Sequence, residues 1–201
     1  MAHLEFFFDC SSPWTYLAIS RVEAVCVRAN ATLEWKPVLV GGIFNAVNME
    51  LYETRANPHP VKSVYSTKDL QDWARYCGVK IGWPSVFPVR AVDCMRGACV
   101  ALDAGVGPAY AKAVCEAYWG DLKDVSQPEI LAEICAKVGM NPQEFFRRIT
   151  EQDIKDRLKA NTEDVIRRGG FGSPTMFVNG NDMYFGNDRL PLVEAALARA
   201  G

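Results

Sequence analysis

The period of apolar positions changes several times along the chain, and each change marks an element. Leu4 to Phe8 is an apolar, aromatic-rich run broken only by Glu5 and stopped by Asp9. Its length suits a strand, and its lack of polar alternation predicts a central strand buried on both faces. Ser12-Pro13 then offers a capping hydroxyl followed by proline at a first helical position, and Trp14, Leu17, Ala18, Val22 and Val25 recur at helical spacing. A helix to about Ala29 is expected. β-Branched and aromatic residues crowd Thr32 to Val40 ahead of Gly41-Gly42, which predicts a second strand ending in a glycine turn.

From Gly42 to about Arg168 the spacing is helical, interrupted by Pro58, Pro60, Pro84 and Pro88. One helix is expected from near Ser66, with Leu70, Trp73, Ala74 and Cys77 on one face and Gly78 at its end. Ser126 and Glu129 have the spacing of a capping box around Pro128, Asn141-Pro142 opens a further helix, and Gly169-Gly170 closes another. Strands over Thr175 to Val178 and Met183 to Phe185 flank Asn179-Gly180, a strong hairpin signal. Asn187-Asp188 stand as caps before a last helix from Arg189 to Arg199. The order β-α-β, helical block, α-β-β-α predicts an α/β, thioredoxin-like fold with an inserted all-helical domain. Residues 1–41 and 160–201 would form the thioredoxin-like part and 42–159 the insertion.

Composition narrows the function. A chain of 201 residues, 49% hydrophobic and 23% charged, has the profile of one globular unit. Its net charge of -2 and lack of a basic block argue against nucleic acid as a partner. The N-terminal apolar run has no Lys or Arg ahead of it and is too short to span a bilayer, so a soluble cytoplasmic protein without a membrane partner is expected. Seven cysteines, an odd number with no C-x-x-C pair, and only His3 and His59 as imidazoles give little from which to build a metal site. They are read instead as small core residues in a reducing compartment. Phosphate-loop, zinc-protease and nucleophile-elbow patterns are missing.

The chemistry is expected where the first strand meets the first helix, since the first turn of a helix presents unpaired N–H groups that stabilise an anion. Disulfide oxidoreductases place the first cysteine of Cys-Pro-x-Cys there. This chain has Ser12-Pro13-Trp14-Thr15 instead, so a dithiol cycle cannot run on these residues, and Cys10 lacks a partner at the required spacing. Taken alone, Ser12 is an ordinary N-cap.

Ser12 does not stand alone. Phe6 to Ala18 (FFFDCSSPWTYLA), Asn57 to Lys62 (NPHPVK) followed by Tyr65 and Asp69 to Ala74 (DLQDWA), Phe171 to Gly180 (FGSPTMFVNG) and Phe185 to Leu190 (FGNDRL) occur in order along the chain. Together they resemble the 2-hydroxychromene-2-carboxylate isomerase and kappa-class glutathione transferase family of the DsbA-like thioredoxin superfamily, over nearly the whole length. The resemblance implies a homodimer that uses glutathione. Ser12 would be the catalytic residue that holds the glutathione sulfur as a thiolate. Ser173-Pro174 would be the proline loop that meets the cysteinyl part, and Gly186, Asn187 and Asp188 would meet the γ-glutamyl end. Lys62 and Asn48 would reach glutathione or substrate. Trp14, Phe44, Tyr65 and Phe87 are candidate walls for an aromatic substrate, with Arg90 or Arg96 for its carboxylate. The implied reaction is the glutathione-dependent isomerisation of 2-hydroxychromene-2-carboxylate, or a related aromatic keto acid, to trans-o-hydroxybenzylidenepyruvate by reversible thiolate addition. A kappa-like transferase or peroxidase, a DsbA-like oxidoreductase and a non-catalytic glutathione-binding protein remain as alternatives.

Overall fold

The N-terminal apolar run becomes β1 (His3–Phe8), the second strand of a four-stranded mixed sheet ordered β2-β1-β3-β4. β2 (Thr32–Pro37) lies parallel to β1, whereas β3 (Thr175–Val178) runs antiparallel to both β1 and β4 (Asp182–Phe185). These elements come from a computed structural model, which describes residues 1–200. Strands β1 and β2 are linked by α1 (Pro13–Ile19) and α2 (Val22–Arg28). Between β2 and the second half of the sheet come α3 (Val40–Val47), α4 (Glu50–Ala56), α5 (Pro60–Cys77), α6 (Val92–Asp103), α7 (Gly107–Cys115), a π-helical turn (Glu116–Gly120), α8 (Pro128–Lys137) and α9 (Pro142–Arg148). α10 (Gln152–Arg167), the β3-β4 hairpin and α11 (Leu190–Ala200) complete a thioredoxin fold. α10 runs unbroken through position 159, where the sequence placed a domain boundary.

Strand periodicity sorts the β1 side chains between two faces. Leu4, Phe6 and Phe8 enter the main core, where Phe6 and Phe8 stack at 5.8 Å and meet Trp35 edge-on at 5.2 and 5.3 Å. Phe7 faces the other way into a smaller cluster with Val38, Ile43, Val165 and Phe177. Glu5 is buried, and its carboxylate accepts from Lys36 Nζ at 2.7 Å and Arg168 Nη1 at 3.0 Å. The Arg168 guanidinium also lies 3.8 Å from the Phe177 ring centroid. Burial raises the Glu5 pKa, but the bonds from Arg168 and Lys36 outweigh it and hold the carboxyl at about 2. A carboxyl depressed on folding stabilises above its unfolded value, and that stability is lost as pH falls through its folded value. Urea denaturation followed from about pH 5 downward should show a loss of at most about 3 kcal/mol from this group, and Glu5→Gln should flatten the slope.

The sequence expectations fail where tertiary contacts decide. The expected single helix to Ala29 is two helices. Ser20 Oγ donates to Leu17 O at 2.8 Å and Arg21 N bonds Ala18 O at 3.0 Å, closing the first helix early. β2 stops at Pro37 rather than Val40, because Val40 N donates to the Asp9 carboxylate at 2.8 Å and starts α3. Gly41-Gly42 therefore lies inside a helix, not in a turn. A Cβ on Gly42 would come 3.3 Å from Thr162 Cγ2 of α10, so the glycine serves close helix packing. α5 begins at Pro60, well before Ser66, with His59 in its extended N-cap position. Ser126 makes no capping box: its hydroxyl donates to Asp124 Oδ1 at 2.6 Å, and Gln127 occupies the N-cap. Asn141 does cap α9, accepting from Gln143 N and Glu144 N.

All seven cysteines are free and six are buried. Burial pushes the thiols of Cys26, Cys99 and Cys135 up to about 11 and that of Cys94 well above its ordinary value. Among the described residues, no helix is long and apolar enough to cross a membrane.

Candidate active site

Asp9, immediately after β1, organises the strand-to-helix loop. Its buried carboxylate accepts Ser11 N and Val40 N, each at 2.8 Å, while its own N–H donates to Ser173 Oγ at 2.8 Å. One residue thereby ties together the loop before α1, the start of α3 and the segment before β3. Burial pushes the Asp9 carboxyl up, opposed by the Val40 and Ser11 bonds. Its contribution to stability therefore falls as pH rises through its range, opposite in sign to that of Glu5.

Ser12 has the extended backbone of an N-cap, and its Oγ accepts from Thr15 N at 3.3 Å. The same oxygen donates to Ser173 O at 2.9 Å, a contact no cap requires. Thr15 Oγ1 and Ser173 Oγ share a hydrogen bond of 2.8 Å, so three buried hydroxyls close one cluster. The Ser173-Pro174 peptide is cis. Pro174 O accepts Gly186 N at 3.1 Å, which draws in the end of β4. Gly186 has φ 100, and a Cβ there would lie 2.7 Å from Asp188 Oδ1.

Asn187 and Asp188 do not cap the last helix through their side chains, contrary to expectation. A 3₁₀ turn (Asn187–Arg189) precedes α11 without any side-chain cap, and Asp188 is exposed and paired with Arg189 at 2.5 Å. Asn187 is buried, and its Oδ1 has no partner among the described residues.

Asn48, at the end of α3, donates to Phe171 O at 3.2 Å, two residues before Ser173. Phe87 lies 6.0 Å from Trp119, whose Nε1 donates to Cys10 O at 2.9 Å. The aromatic wall therefore reaches the Ser12 loop through Trp119 on the π-helical turn, with Trp83 at 4.9 Å from Phe87. Trp14 is half-buried and packs against the main core. Lys62 and Tyr65 are exposed on α5, and no hydrogen bond or ring contact joins them to the cluster. Arg90 and Arg96 are both directed to Asp93, at 2.8 and 3.6 Å. Both thus face a carboxylate at the start of α6. Cys10 is buried, with its thiol raised well above the ordinary value by neighbouring Cys115 and by burial, so it offers no thiolate. A surface hollow of about 370 Å³, lined by residues including Val178, Asp182 and Arg199, lies at the opposite end of β3 and has no part in this cluster.

Asp9, Thr15 and Trp119 carry the geometry without having been assigned roles from sequence. Only Thr15 gave a signal, as the fourth residue of Ser12-Pro13-Trp14-Thr15.

α1 has seven residues, so the donors of its first turn matter more than any summed dipole. Among the described residues, neither Trp14 N–H nor Ser173 N–H has a protein acceptor. Those two N–H groups, the Ser12 hydroxyl and the Asp188 carboxylate, whose exposed pair with Arg189 would have to open, suit a thiol-bearing peptide such as glutathione: donors for sulfur and carbonyl oxygen, and an acceptor for an ammonium group.

The model of the DSBA-like thioredoxin domain matches residues 3–198. The chain belongs to the DsbA-like thioredoxin family. Within it, this DsbA-like chain is similar to the 2-hydroxychromene-2-carboxylate isomerase of Pseudomonas putida, at 28% identity over 98% of this chain and 94% of that protein. It is 26% identical to human glutathione S-transferase kappa 1, over 94% of this chain and 88% of that one. A solved structure of 2-hydroxychromene-2-carboxylate isomerase superposes with a TM-score of 0.84 at 27% identity, covering 98% of this chain and 95% of the other. The DsbA-like fold thus carries serine and threonine where dithiol chemistry would need two cysteines.

Proposed function

We propose that the chain is a glutathione-dependent isomerase of 2-hydroxychromene-2-carboxylate or a closely related aromatic keto acid, forming trans-o-hydroxybenzylidenepyruvate. The observation that carries this reading is the Ser12 hydroxyl held against Ser173 O beside Thr15, in a fold whose oxidoreductase chemistry needs thiols there. The similarity to three curated isomerases, at 28%, 27% and 27% identity, supports the reaction class.

When bound, glutathione would supply a thiolate that adds reversibly to a conjugated carbon and so permits rotation about a former double bond. Ser12 Oγ would exchange its bond to Ser173 O for one to the sulfur, favouring the anion, with Trp14 N–H as a second donor. Ser173 N–H would take a carbonyl of the cysteinyl part, and Asp188, with Gly186 and Asn187 shaping its turn, would take the γ-glutamyl ammonium. Asn48 and Lys62 would approach from the helical side. Trp14 and Phe87 would limit water around the substrate. Along α5, Val61, Val64 and Tyr65 expose an apolar strip, which fits the homodimer implied by the resemblance.

The test is conversion of 2-hydroxychromene-2-carboxylate followed spectroscopically with and without glutathione. Turnover that needs glutathione, without insulin reduction, is expected. Thiol-independent turnover or none would contradict the proposal. Similarity to the human kappa transferase favours a second reading, conjugation of glutathione to electrophiles, which would instead consume glutathione stoichiometrically.

A further inference from the structure

Arg55, in the last turn of α4, is held between aromatic rings rather than by an anion. Its guanidinium carbon lies 5.2 Å from the Phe44 ring centroid and 5.5 Å from that of Phe87. Those rings come from α3 and from the Trp83–Phe87 segment. Among the described residues no carboxylate lies within ion-pair distance of Arg55, and its N–H groups donate to no protein acceptor. Arg55 is exposed, yet partial loss of water around the guanidinium pulls its pKa down without a compensating carboxylate. It still carries its charge at neutral pH. Aromatic faces hold a guanidinium by cation–π attraction and leave its N–H edge free for a planar, bidentate acceptor.

The two rings also lead to the candidate site. Phe87 touches Trp119, which holds Cys10 O on the Ser12 loop. Phe44 belongs to the helix whose end, Asn48, holds Phe171 O before Ser173. Arg55 therefore sits where both site loops are buttressed, as the unpaired cation beside the aromatic wall.

We propose that Arg55 is the specificity-determining residue of this site, selecting ligands that carry a carboxylate on a planar conjugated system, with the carboxylate on the guanidinium edge and the conjugated plane along Phe87. The proposal rests on the preceding reading in that both place substrate on this side of Ser12. It replaces the Arg90 or Arg96 anchor expected from sequence, since those side chains already face Asp93.

The experiment is calorimetric titration of trans-cinnamate, and of its methyl ester, into the full chain and into Arg55→Met and Arg55→Lys, with and without glutathione. Wild type should prefer the acid. Arg55→Met should weaken the acid about tenfold to a hundredfold, as expected for loss of a charge-assisted pair, and move the ester less than about twofold. Arg55→Lys, which keeps the charge but loses the fork, should fall between them. Equal weakening of acid and ester would mean that Arg55 only braces the wall, and an unchanged acid isotherm, or a wild type that binds no acid or does not distinguish acid from ester, would equally overturn the proposal. The glutathione isotherm is read separately: its absence in wild type sinks the proposed isomerase, while the acid and ester isotherms still decide Arg55.

Discussion

Ser12→Ala is expected to lower glutathione-dependent turnover about a hundredfold, the scale seen when one preorganised donor to a developing anion is removed. The hydroxyl lies between Thr15 N and Ser173 O, two partners that fix its position before any ligand arrives. Alanine keeps the backbone path but leaves the sulfur with Trp14 N–H as its remaining donor in this loop. The acid limb of the rate profile should move to higher pH, because a thiol that loses a donor to its anion needs a higher pH to ionise. KM for the keto acid should change little, since Ser12 is assigned to the sulfur. The same substitution removes the α1 cap, at about 1 kcal/mol, so thermal denaturation must accompany the kinetics. A drop in rate without a pH shift would assign Ser12 a structural role only.

Trp119→Ala should be the most destabilising single change in the site's support, by about 4 kcal/mol. Trp119 is fully buried, packs on Tyr118 at 4.7 Å and Phe87 at 6.0 Å, and its Nε1 bonds Cys10 O. Loss of the indole opens a cavity behind the Ser12 loop and leaves the Cys10 carbonyl with only the long bond from Cys115 Sγ at 4.0 Å. Trp119→Phe separates these effects: it keeps most of the packing and should cost about 1 to 3 kcal/mol for the lost indole bond to the carbonyl. Urea denaturation of both variants measures the difference. Turnover should fall in both if the Cys10 carbonyl positions the loop, and it should stay normal in the phenylalanine variant if packing alone matters.

Local signals carried the parts of this fold that local forces determine. The apolar run of β1, the Asn141 cap and the Asn179-Gly180 turn, where both residues take positive φ, depend on neighbours within a few positions. The break between α1 and α2 was hidden because Leu17, Ala18, Val22 and Val25 bury one continuous apolar stripe on either side of Ser20. Gly41-Gly42 misled for a different reason: the bond from Val40 N to Asp9, and the approach of Thr162, come from residues distant in sequence.

The candidate site divides in the same way. Ser12 and Ser173-Pro174 stood out through spaced motifs that resemble a family, and they meet through a hydrogen bond. Trp119 and Arg55 could not be read, because a carbonyl at Cys10 and two rings brought together by folding give them their meaning. Lys62 and Tyr65 came from the resemblance, and their exposed positions on α5 bring them no bond to the cluster.

On the proposed mechanism, the Ser12 loop and the cis-proline loop together bind glutathione as a thiolate. Calorimetric titration of glutathione into the wild-type chain, repeated in two buffers of different ionisation enthalpy, tests it most directly. Saturable binding of one glutathione per chain, with a proton released from the thiol, is the predicted result. Absence of binding, or binding without proton release at a pH below the free thiol's pKa, would contradict it.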